Sequence, residues 1–501
     1  MVNYYSSNSI LGFVLLYVWV LAGCTQNDSS QDQNTLGMEI TESPIEISWK
    51  VISNFEEDDK FSAQLTFHNT GNETFPADGW TLYLNSIRAM DAESFMPEFE
   101  ATHINGDFFS LEPTNAFEPI PAGESRLIEY LGSYHAIKKT DAPQGFYFVF
   151  EDDHIETVES VDVQPFVTEE QVNRNQDDNL AVPTAESRYR ENEDLIQLSH
   201  GQMGKITPMP GSVEYANAVY ELMDGVTITY NAEFSGEADY LSQILEDEFN
   251  IEPSTEPLGG DWDGSGILLN MDGTNFNQAE AYTLQISEHA VEISAGSNAG
   301  IFYGIQSLRS LLSNRNSDNL ELSEVEIEDY PGFGYRGMHL DVARNFQSKE
   351  SVVRLLEIMG MYKLNKFHFH LTDDEGWRLA IEGLPELTEV GGRRGHTETE
   401  EEFLFPSYGS GPDPTPGSSF GSGWYSRDEY IEILKFADER HIEVIPEIDV
   451  PGHALAAIKG MEVRYNRLLE FGQEGEAGMY RLTDPEDESE YMSVQSFDDN
   501  V

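Results

Sequence analysis

Hydrophobic and polar residues alternate with a period of two in the stretch that follows residue 40. The clearest segments are residues 45–52, 61–67 and 80–84. This period places one face of each strand in a core, and residues 69–72 (Asn-Thr-Gly-Asn) provide a turn. We therefore predict an antiparallel β-sandwich over residues 41–167.

A second pattern, with mixed periods, follows a polar and acidic stretch. Residues 168–195 are poor in large apolar side chains, which predicts a linker. Beyond it, residues 226–230 read as a strand, whereas residues 299–312 repeat apolar positions at helical spacing. Residues 196–331 are thus predicted to form a small α+β domain, in which the helical stripe packs into the core.

From residue 335 onward, strand-like and helix-like segments take turns. The strands are predicted at residues 336–342, 366–371 and 441–448. One helix is expected to start near Ser348, and a Ser426–Glu429 capping box starts another. Repeated βα units predict a parallel sheet with right-handed crossovers. We expect residues 332–501 to form the first part of a (β/α)8 TIM barrel, because a complete barrel takes roughly 250 residues.

Polar side chains gather where each of these predicted strands ends. They are Asp341 and Arg344, then Asp373 and Asp374, then Asp449 and His453. The carboxyl ends of barrel strands form the active-site face. Spacing alone therefore predicts a barrel hydrolase with an acidic pocket that is also lined by cations.

The charge balance excludes one class of partner. The 501 residues carry 91 acidic and 28 basic side chains, a formal net charge of −63. Such a chain repels phosphate backbones, so we expect no nucleic-acid partner.

The amino terminus predicts export. Residues 10–22 form an apolar run, and a Leu-Ala-Gly triplet directly precedes Cys24, the single cysteine. This resembles a bacterial lipobox, so we predict a lipoprotein signal peptide at 1–24, lipidation of Cys24 and a tether at 25–40. The protein is then exported and held by its lipid anchor alone at a bacterial membrane, at the outer membrane or the periplasmic face.

Three blocks of the predicted barrel resemble hallmark blocks of family 20 glycoside hydrolases, the β-N-acetylhexosaminidases. They are Arg336-Gly337 with residues 341–344, then residues 362–378, then residues 446–453. Residues 102–109 and 140–147 resemble the N-terminal sandwich of bacterial chitobiases, whose role is either sugar binding or that of a spacer.

The resemblance implies roles for individual residues. Arg336 would grip the outer hydroxyls of the terminal sugar. Asp373, Asp449 and His453 would form the supporting shell that orients the catalytic acid. Asp374 would contact the sugar, with a helix cap or loop contact as the equal alternative.

The reaction that the resemblance implies is hydrolysis of terminal β-linked N-acetylglucosamine or N-acetylgalactosamine with retention. The acetamido oxygen of the substrate acts as the nucleophile. A glutamate protonates the leaving oxygen, and the preceding aspartate steadies the acetamido group. The resemblance implies no metal and no organic cofactor.

The family places this aspartate–glutamate pair in a His-x-Gly-Gly-Asp-Glu block, which the 501 residues lack. We therefore expect a C-terminally incomplete chain that is inactive alone. Two alternatives stay open at this point. One is a metal-dependent barrel hydrolase that uses His368 and His370. The other is a non-catalytic surface lipoprotein that binds glycans through the sandwich.

Overall fold

The computed structural model describes residues 39–57, 60–197, 205–272, 278–313 and 320–482. The predicted signal peptide, the lipidation site Cys24 and nearly all of the predicted tether lie outside these residues. Among the described helices, none combines the length and the apolar character needed to cross a membrane.

The first domain consists of two packed β-sheets. A six-stranded sheet has the order β1-β9-β8-β4-β6-β5, and a four-stranded sheet has the order β10-β2-β3-β7. Their alternating inward residues form one core centred on large side chains such as Trp49 and Trp80. The strands are β1 (Ile40–Glu42), β2 (Ile45–Glu57), β3 (Lys60–Asn69), β4 (Trp80–Asn85), β5 (Phe99–Asn105), β6 (Phe108–Pro113), β7 (Ser125–Ser133), β8 (Gln144–Phe150), β9 (Ile155–Thr157) and β10 (Val161–Val163).

The sandwich differs from the prediction because it is not wholly antiparallel. The short strand β1 pairs with β9 in parallel, and β10 pairs with β2 in parallel. Each of these short strands lies at a sheet edge, and its partner strand is distant in sequence. No hairpin fixes their direction, so parallel pairing is possible there.

The predicted linker begins with ordered structure against the sandwich. Two short helices, α1 (Glu169–Val172) and α2 (Ala185–Glu191), lie in it. Gln171 is buried, and its Nε2 donates to the Val51 carbonyl at 2.6 Å. A polar composition predicted exposure here, whereas Gln171 satisfies its amide inside the sandwich.

The second domain is a seven-stranded mixed sheet with the order β11-β17-β15-β16-β14-β12-β13. The apolar stripe predicted on α4 is buried against this sheet, as expected. The elements are β11 (Ser212–Glu221), β12 (Thr227–Tyr230), α3 (Ser235–Phe249), β13 (Ser254–Pro257), β14 (Gly266–Met271), β15 (Tyr282–Ile286), β16 (Ala290–Ala295), α4 (Asn298–Ser313) and β17 (Glu321–Asp329).

The third domain has the predicted strand–helix rhythm. Strands β18 and β21 pair with β19 in parallel, and β20 pairs with β19 antiparallel. Helix α5 is capped by Ser348, and the Ser426–Glu429 capping box precedes α7, as predicted. The elements are β18 (Gly337–Asp341), α5 (Lys349–Met361), β19 (Lys366–Asp373), β20 (Gly376–Trp377), α6 (Glu386–Glu389), α7 (Arg427–Asp438), β21 (Glu443–Ile448), α8 (Leu455–Glu470) and α9 (Glu474–Ala477).

The register of this parallel sheet positions the site. Asp341, the last residue of β18, lies opposite His370 of β19, and His370 lies opposite Glu447 of β21. The carboxyl ends of the three strands therefore meet at one edge, which is where ligands bind in α/β proteins.

Candidate active site

Arg344 connects three carboxyl groups just beyond the carboxyl end of β18. Its Nη1 donates to Asp341 Oδ2 at 2.8 Å, and its Nη2 lies 2.7 Å from Asp373 Oδ2. Its Nε lies 3.5 Å from Glu375 Oε2. Partial burial opposes the charge, but the hydrogen bond to Asp341 and the charge of Asp373 outweigh it and raise the pKa of Arg344. The guanidinium is therefore a fixed cation.

Asp373 is the buried centre of this cluster. Its carboxylate lies 2.9 Å from His370 Nε2 and 3.1 Å from His453 Nδ1, besides the contact with Arg344. Burial opposes ionisation, but the hydrogen bond with His370 and the charge of Arg344 hold the pKa of Asp373 below its ordinary value. Asp373 is consequently ionised at neutral pH.

Glu375, two residues farther on, has the opposite protonation state. Its burial, followed by repulsion from Asp373, raises the pKa of Glu375 to about 8. Glu375 therefore keeps its proton at neutral pH and can donate a hydrogen bond. Residue-by-residue comparison with the family missed this residue. The sequence did contain a signal, because Glu375 is the third of three consecutive acidic residues. Adjacent carboxyl groups cannot all ionise in a buried place, so one of the three is expected to hold a proton.

Glu447 of β21 lies close to three histidines, one on β18 and two on β19. Its Oε2 lies 2.5 Å from His368 Nε2, 2.9 Å from His370 Nδ1 and 3.7 Å from His339 Nε2. Burial disfavours the charged ring of His370, but Asp373 and Glu447 outweigh this and raise its pKa to about 9. His370 is buried, whereas His368 is partly exposed.

Some of these groups have the geometry of metal ligands. His339, His368 and Glu447 each offer one ligand atom, and these atoms lie within 4.8 Å of one another. The sets His370–Asp373–Asp449 and Asp373–Asp374–His453 meet the same criterion. The ion pairs with Glu447 and Asp373 already engage the imidazoles of His368, His370 and His453. Three of these histidines thus already lie against carboxylates.

Asp374 and Asp449 occupy different parts of the site. Asp374 is buried and accepts from the backbone N–H of Leu455 at 3.1 Å, at the first turn of α8. This is the helix-end contact that we gave as the alternative to a sugar contact. Asp449 is half-buried, and its carboxylate lies near His370 and Asp373. The predicted supporting residues Asp373, Asp449 and His453 thus lie together, and their roles stay predictions.

The position of Arg336 disagrees with the predicted sugar contact. Arg336 precedes β18 and therefore lies at the amino end of the sheet. Its Nη1 donates to Glu280 Oε2 at 2.9 Å and its Nε to the Lys363 carbonyl at 2.7 Å, while Nη2 donates to the Tyr303 hydroxyl at 3.2 Å. Arg344, at the opposite end of the strand, is the arginine that faces Asp341, Asp373 and Glu375.

Arg378 holds the loops around the site. It is fully buried, and its guanidinium donates only to backbone carbonyls. The acceptors are those of Val342, Ala343, Gly392, Gly421 and Gly423. Burial, the largest cause, lowers the pKa of Arg378 to about 9. A single side chain thereby fixes the loop that carries Arg344 relative to two other loops.

The cluster combines a fixed cation, an ionised carboxylate and a protonated carboxyl group at one edge of the sheet. Arg344 and Glu375 can donate hydrogen bonds, and Asp373 can accept them. Hydroxyl groups of a sugar likewise offer both donors and acceptors. The chemistry of the cluster is therefore compatible with a polyhydroxylated ligand.

Each of the three domains matches a known protein family or domain. Residues 333–498 match the glycosyl hydrolase family 20 catalytic domain, and residues 204–330 match domain 2 of that family. Residues 46–186 match a putative carbohydrate binding domain.

The relatives include N,N'-diacetylchitobiase of Vibrio harveyi, which is 36% identical over 96% of this chain and 55% of its own length. A β-hexosaminidase of Vibrio vulnificus is 34% identical over 88% of this chain and 52% of its own length. Among solved structures, the family 20 exo-β-N-acetylglucosaminidase of Vibrio harveyi in complex with N-acetylglucosamine superimposes with a TM-score of 0.68 at 29% identity. It covers 92% of this chain, which covers 63% of it.

The chain thus spans about half the length of the curated relatives that it matches. Within that span, the carbohydrate binding domain, domain 2 and the catalytic domain match in this order along the chain. The chain belongs to glycoside hydrolase family 20.

Proposed function

We propose that the protein to which this chain belongs hydrolyses terminal non-reducing β-linked N-acetylhexosamine residues of chitooligosaccharides or other glycans. The observation that carries the proposal is the cluster of Arg344, Asp373 and His453 at the carboxyl ends of the strands. The family membership of the domains supports the same reaction. Its partners are glycans with β-linked N-acetylglucosamine or N-acetylgalactosamine.

The proposed mechanism is substrate-assisted and retaining. The acetamido oxygen attacks the anomeric carbon, the glycosidic C–O bond breaks, and a carboxylic acid transfers its proton to the leaving oxygen. Water then adds to the anomeric carbon and reopens the cyclic intermediate. The substrate supplies the nucleophile, so the scheme requires neither a metal nor an organic cofactor.

We also propose that the strand–helix units belong to a (β/α)8 barrel. Three parallel strands that alternate with helices along the chain support this architecture. The aspartate and glutamate that act directly on the substrate would lie on a later strand. Because the 501 residues contain no Gly-Asp-Glu sequence, we propose that they do not hydrolyse glycosides on their own.

The test compares the 501-residue chain with the complete product of its gene on a chromogenic β-N-acetylglucosaminide. We expect cleavage by the complete product only, with retention at the anomeric carbon followed by NMR. A thiazoline mimic of the cyclic intermediate should inhibit cleavage competitively. An inactive complete product that still binds chitooligosaccharides would overturn the proposal in favour of the glycan-binding alternative.

Zinc content separates this proposal from a metal-dependent hydrolase. We expect activity to survive dialysis against a chelator, and we expect no stoichiometric zinc in the purified protein. A 1:1 zinc content, lost together with activity when His339 and His368 are replaced, would favour the metal enzyme instead.

We further propose that Cys24 is lipidated and holds the exported protein at a bacterial membrane. The apolar run and the small residues before the only cysteine support this location. Labelled palmitate should enter the wild-type protein and be absent from C24S. Equal labelling of the two proteins would exclude the anchor.

A further inference from the structure

The outer face of the six-stranded sandwich sheet is covered by a segment of the catalytic domain. Tyr83 and Tyr147 contact the ring of His396 at centroid distances of 4.9 and 5.6 Å, and Phe108 contacts Phe405 at 5.7 Å. The Tyr147 hydroxyl lies 3.1 Å from His396 Nδ1. Aromatic side chains that could stack on sugar rings are therefore used in a contact between domains.

Two buried polar side chains of the sandwich fix the same segment through its backbone. Asn85 Nδ2 donates to the Pro406 carbonyl at 2.9 Å, and Asn85 Oδ1 accepts from the Gly409 N–H at 3.0 Å. Asp107 accepts from the Tyr408 N–H at 2.8 Å and from the Ser407 hydroxyl at 2.9 Å. Asn85 and Asp107 thus both join the sandwich to residues 406–409 of this segment.

The fixed segment continues to the candidate active site. Tyr408 is held at φ +53°, in the left-handed region that a tyrosine rarely adopts. Burial, followed by the negative charge of Glu375, raises the pKa of its phenol, and Arg344 and Asp341 also act on it. The preceding residue, Ser407, lines a cavity together with Asp374 and Glu375, so this part of the segment lies beside the candidate site.

A small cavity of about 20 Å³ lies on the other side of the same segment. Its lining includes Asp107, Ser407, Asp374 and Glu375. Asp107 of the sandwich and Asp374 and Glu375 of the candidate site thus line one cavity. This cavity has room for about one water molecule. Movement of the segment at residues 407–408 would therefore alter the surroundings of Glu375.

We propose that Asp107 of the sandwich is a positioning residue for the glycosidase site, because it fixes residues 407–408 of the catalytic domain beside the cavity that Glu375 lines. The inference rests on the proposed function and extends it to the role of the first domain. The sandwich then acts on the substrate through the catalytic domain, and its covered aromatic face does not bind glycans.

The experiment uses the complete gene product with a chromogenic N-acetylglucosaminide and with chitobiose. We expect D107N to raise KM about ten-fold and to change kcat less, because displacement of residues 407–408 would alter the surroundings of Glu375 and weaken substrate binding. Y408A should raise KM similarly, and Y408F should restore most of the binding. The double variant D107N/Y408A should be no worse than Y408A, because the two residues act through one contact.

D141N is the matched control. Asp141 is another buried aspartate of the sandwich, and it accepts from Arg88 and from the N–H groups of Ile137 and Lys138. We expect D141N to lower the melting temperature at least as much as D107N does and to leave KM unchanged. Equal KM values for D107N and wild type, or the same KM rise in D141N, would overturn the positioning role. Absence of hydrolysis by the wild-type product would instead overturn the proposed function on which the inference rests.

Discussion

Arg336 and Arg344 lie at opposite ends of the short strand β18, and both are ion-paired and largely buried. Arg336 faces one carboxylate, Glu280, and its other donors meet a tyrosine hydroxyl and two backbone carbonyls. Arg344 faces Asp341, Asp373 and Glu375 together. The first arginine is neutralised by its surroundings, whereas the second lies in a surplus of negative charge.

This difference separates a structural contact from a candidate site. A balanced pair at the amino end of a sheet joins the second domain to the third. At the carboxyl end, burial, followed by repulsion from Asp373, raises the pKa of Glu375 to about 8, although Asp373, two residues away, stays ionised. Opposed protonation states of this kind are typical of active sites.

The largest expected effect is the loss of Arg344. In the complete gene product, Arg344→Met should lower kcat/KM for a chromogenic N-acetylglucosaminide by about 10³-fold, because it removes the guanidinium that lies against Asp341, Asp373 and Glu375 together. The exposed Arg354 of α5 provides the matched control, and Arg354→Met should retain wild-type kinetics. A loss of less than ten-fold in the Arg344 variant would contradict the assignment of the site.

The corresponding change at the other end of the strand should affect stability. Arg336→Met leaves Glu280 partly buried without its cation, so we expect the free energy of unfolding to fall by about 3 kcal/mol. Urea unfolding of the chain measures this loss, and kcat/KM of the complete product should stay within about two-fold of wild type. A raised KM with unchanged stability would restore the sugar contact that the sequence predicted for Arg336.

Arg336 and Arg344 also show which features could be predicted from the sequence alone. The strand–helix rhythm was predictable because apolar residues recur along each strand, and because caps such as Ser348 act over one helical turn. The gathering of Asp341, Asp373 and His453 followed from their common position after strands. The choice between Arg336 and Arg344 depends on where β18 begins and ends, which the sequence does not give precisely. The two arginines are only eight positions apart, yet they lie at opposite ends of the strand.

Other features depended on contacts that are distant in sequence. Asp107 meets Ser407 across 300 positions, and no local pattern predicts such a pair. The burial of Gln171 and the protonation of Glu375 likewise depend on what packs around them. Polar composition predicts solvent contact on average, but it cannot identify the amide or carboxyl group that the fold encloses.

Protonation of Glu375 provides a test that does not need activity. Its folded-state pKa lies above the unfolded value, so the native state holds a proton that the unfolded state releases between about pH 4.5 and pH 8. The resulting stabilisation is complete below pH 4.5 and is lost as the pH rises through 8. His370, with a pKa raised to about 9, adds a loss of the same sign between about pH 6.5 and pH 9.

We therefore expect wild-type stability to fall between pH 5 and pH 8, and we expect Glu375→Gln to reduce that fall by about 2 kcal/mol. Urea unfolding at the two pH values measures the difference. Glu382 is an exposed control, and Glu382→Gln should keep the wild-type slope. Parallel pH profiles for Glu375→Gln and wild type would mean that Glu375 is ionised in the folded protein.

The smallest expected effect concerns Asp374, which the sequence left between a sugar contact and a helix cap. Its carboxylate accepts from the Leu455 N–H at the start of α8. Asp374→Ala should therefore lower the free energy of unfolding by about 1 kcal/mol, and Asp374→Asn, which keeps an acceptor oxygen, should lose less. Because this carboxylate is buried beside the helix end, KM for the aryl glycoside should change little in either variant. A KM raised ten-fold in Asp374→Asn, with unfolding unchanged, would instead make Asp374 part of the sugar site and extend the surplus of acids around Arg344 to the substrate itself.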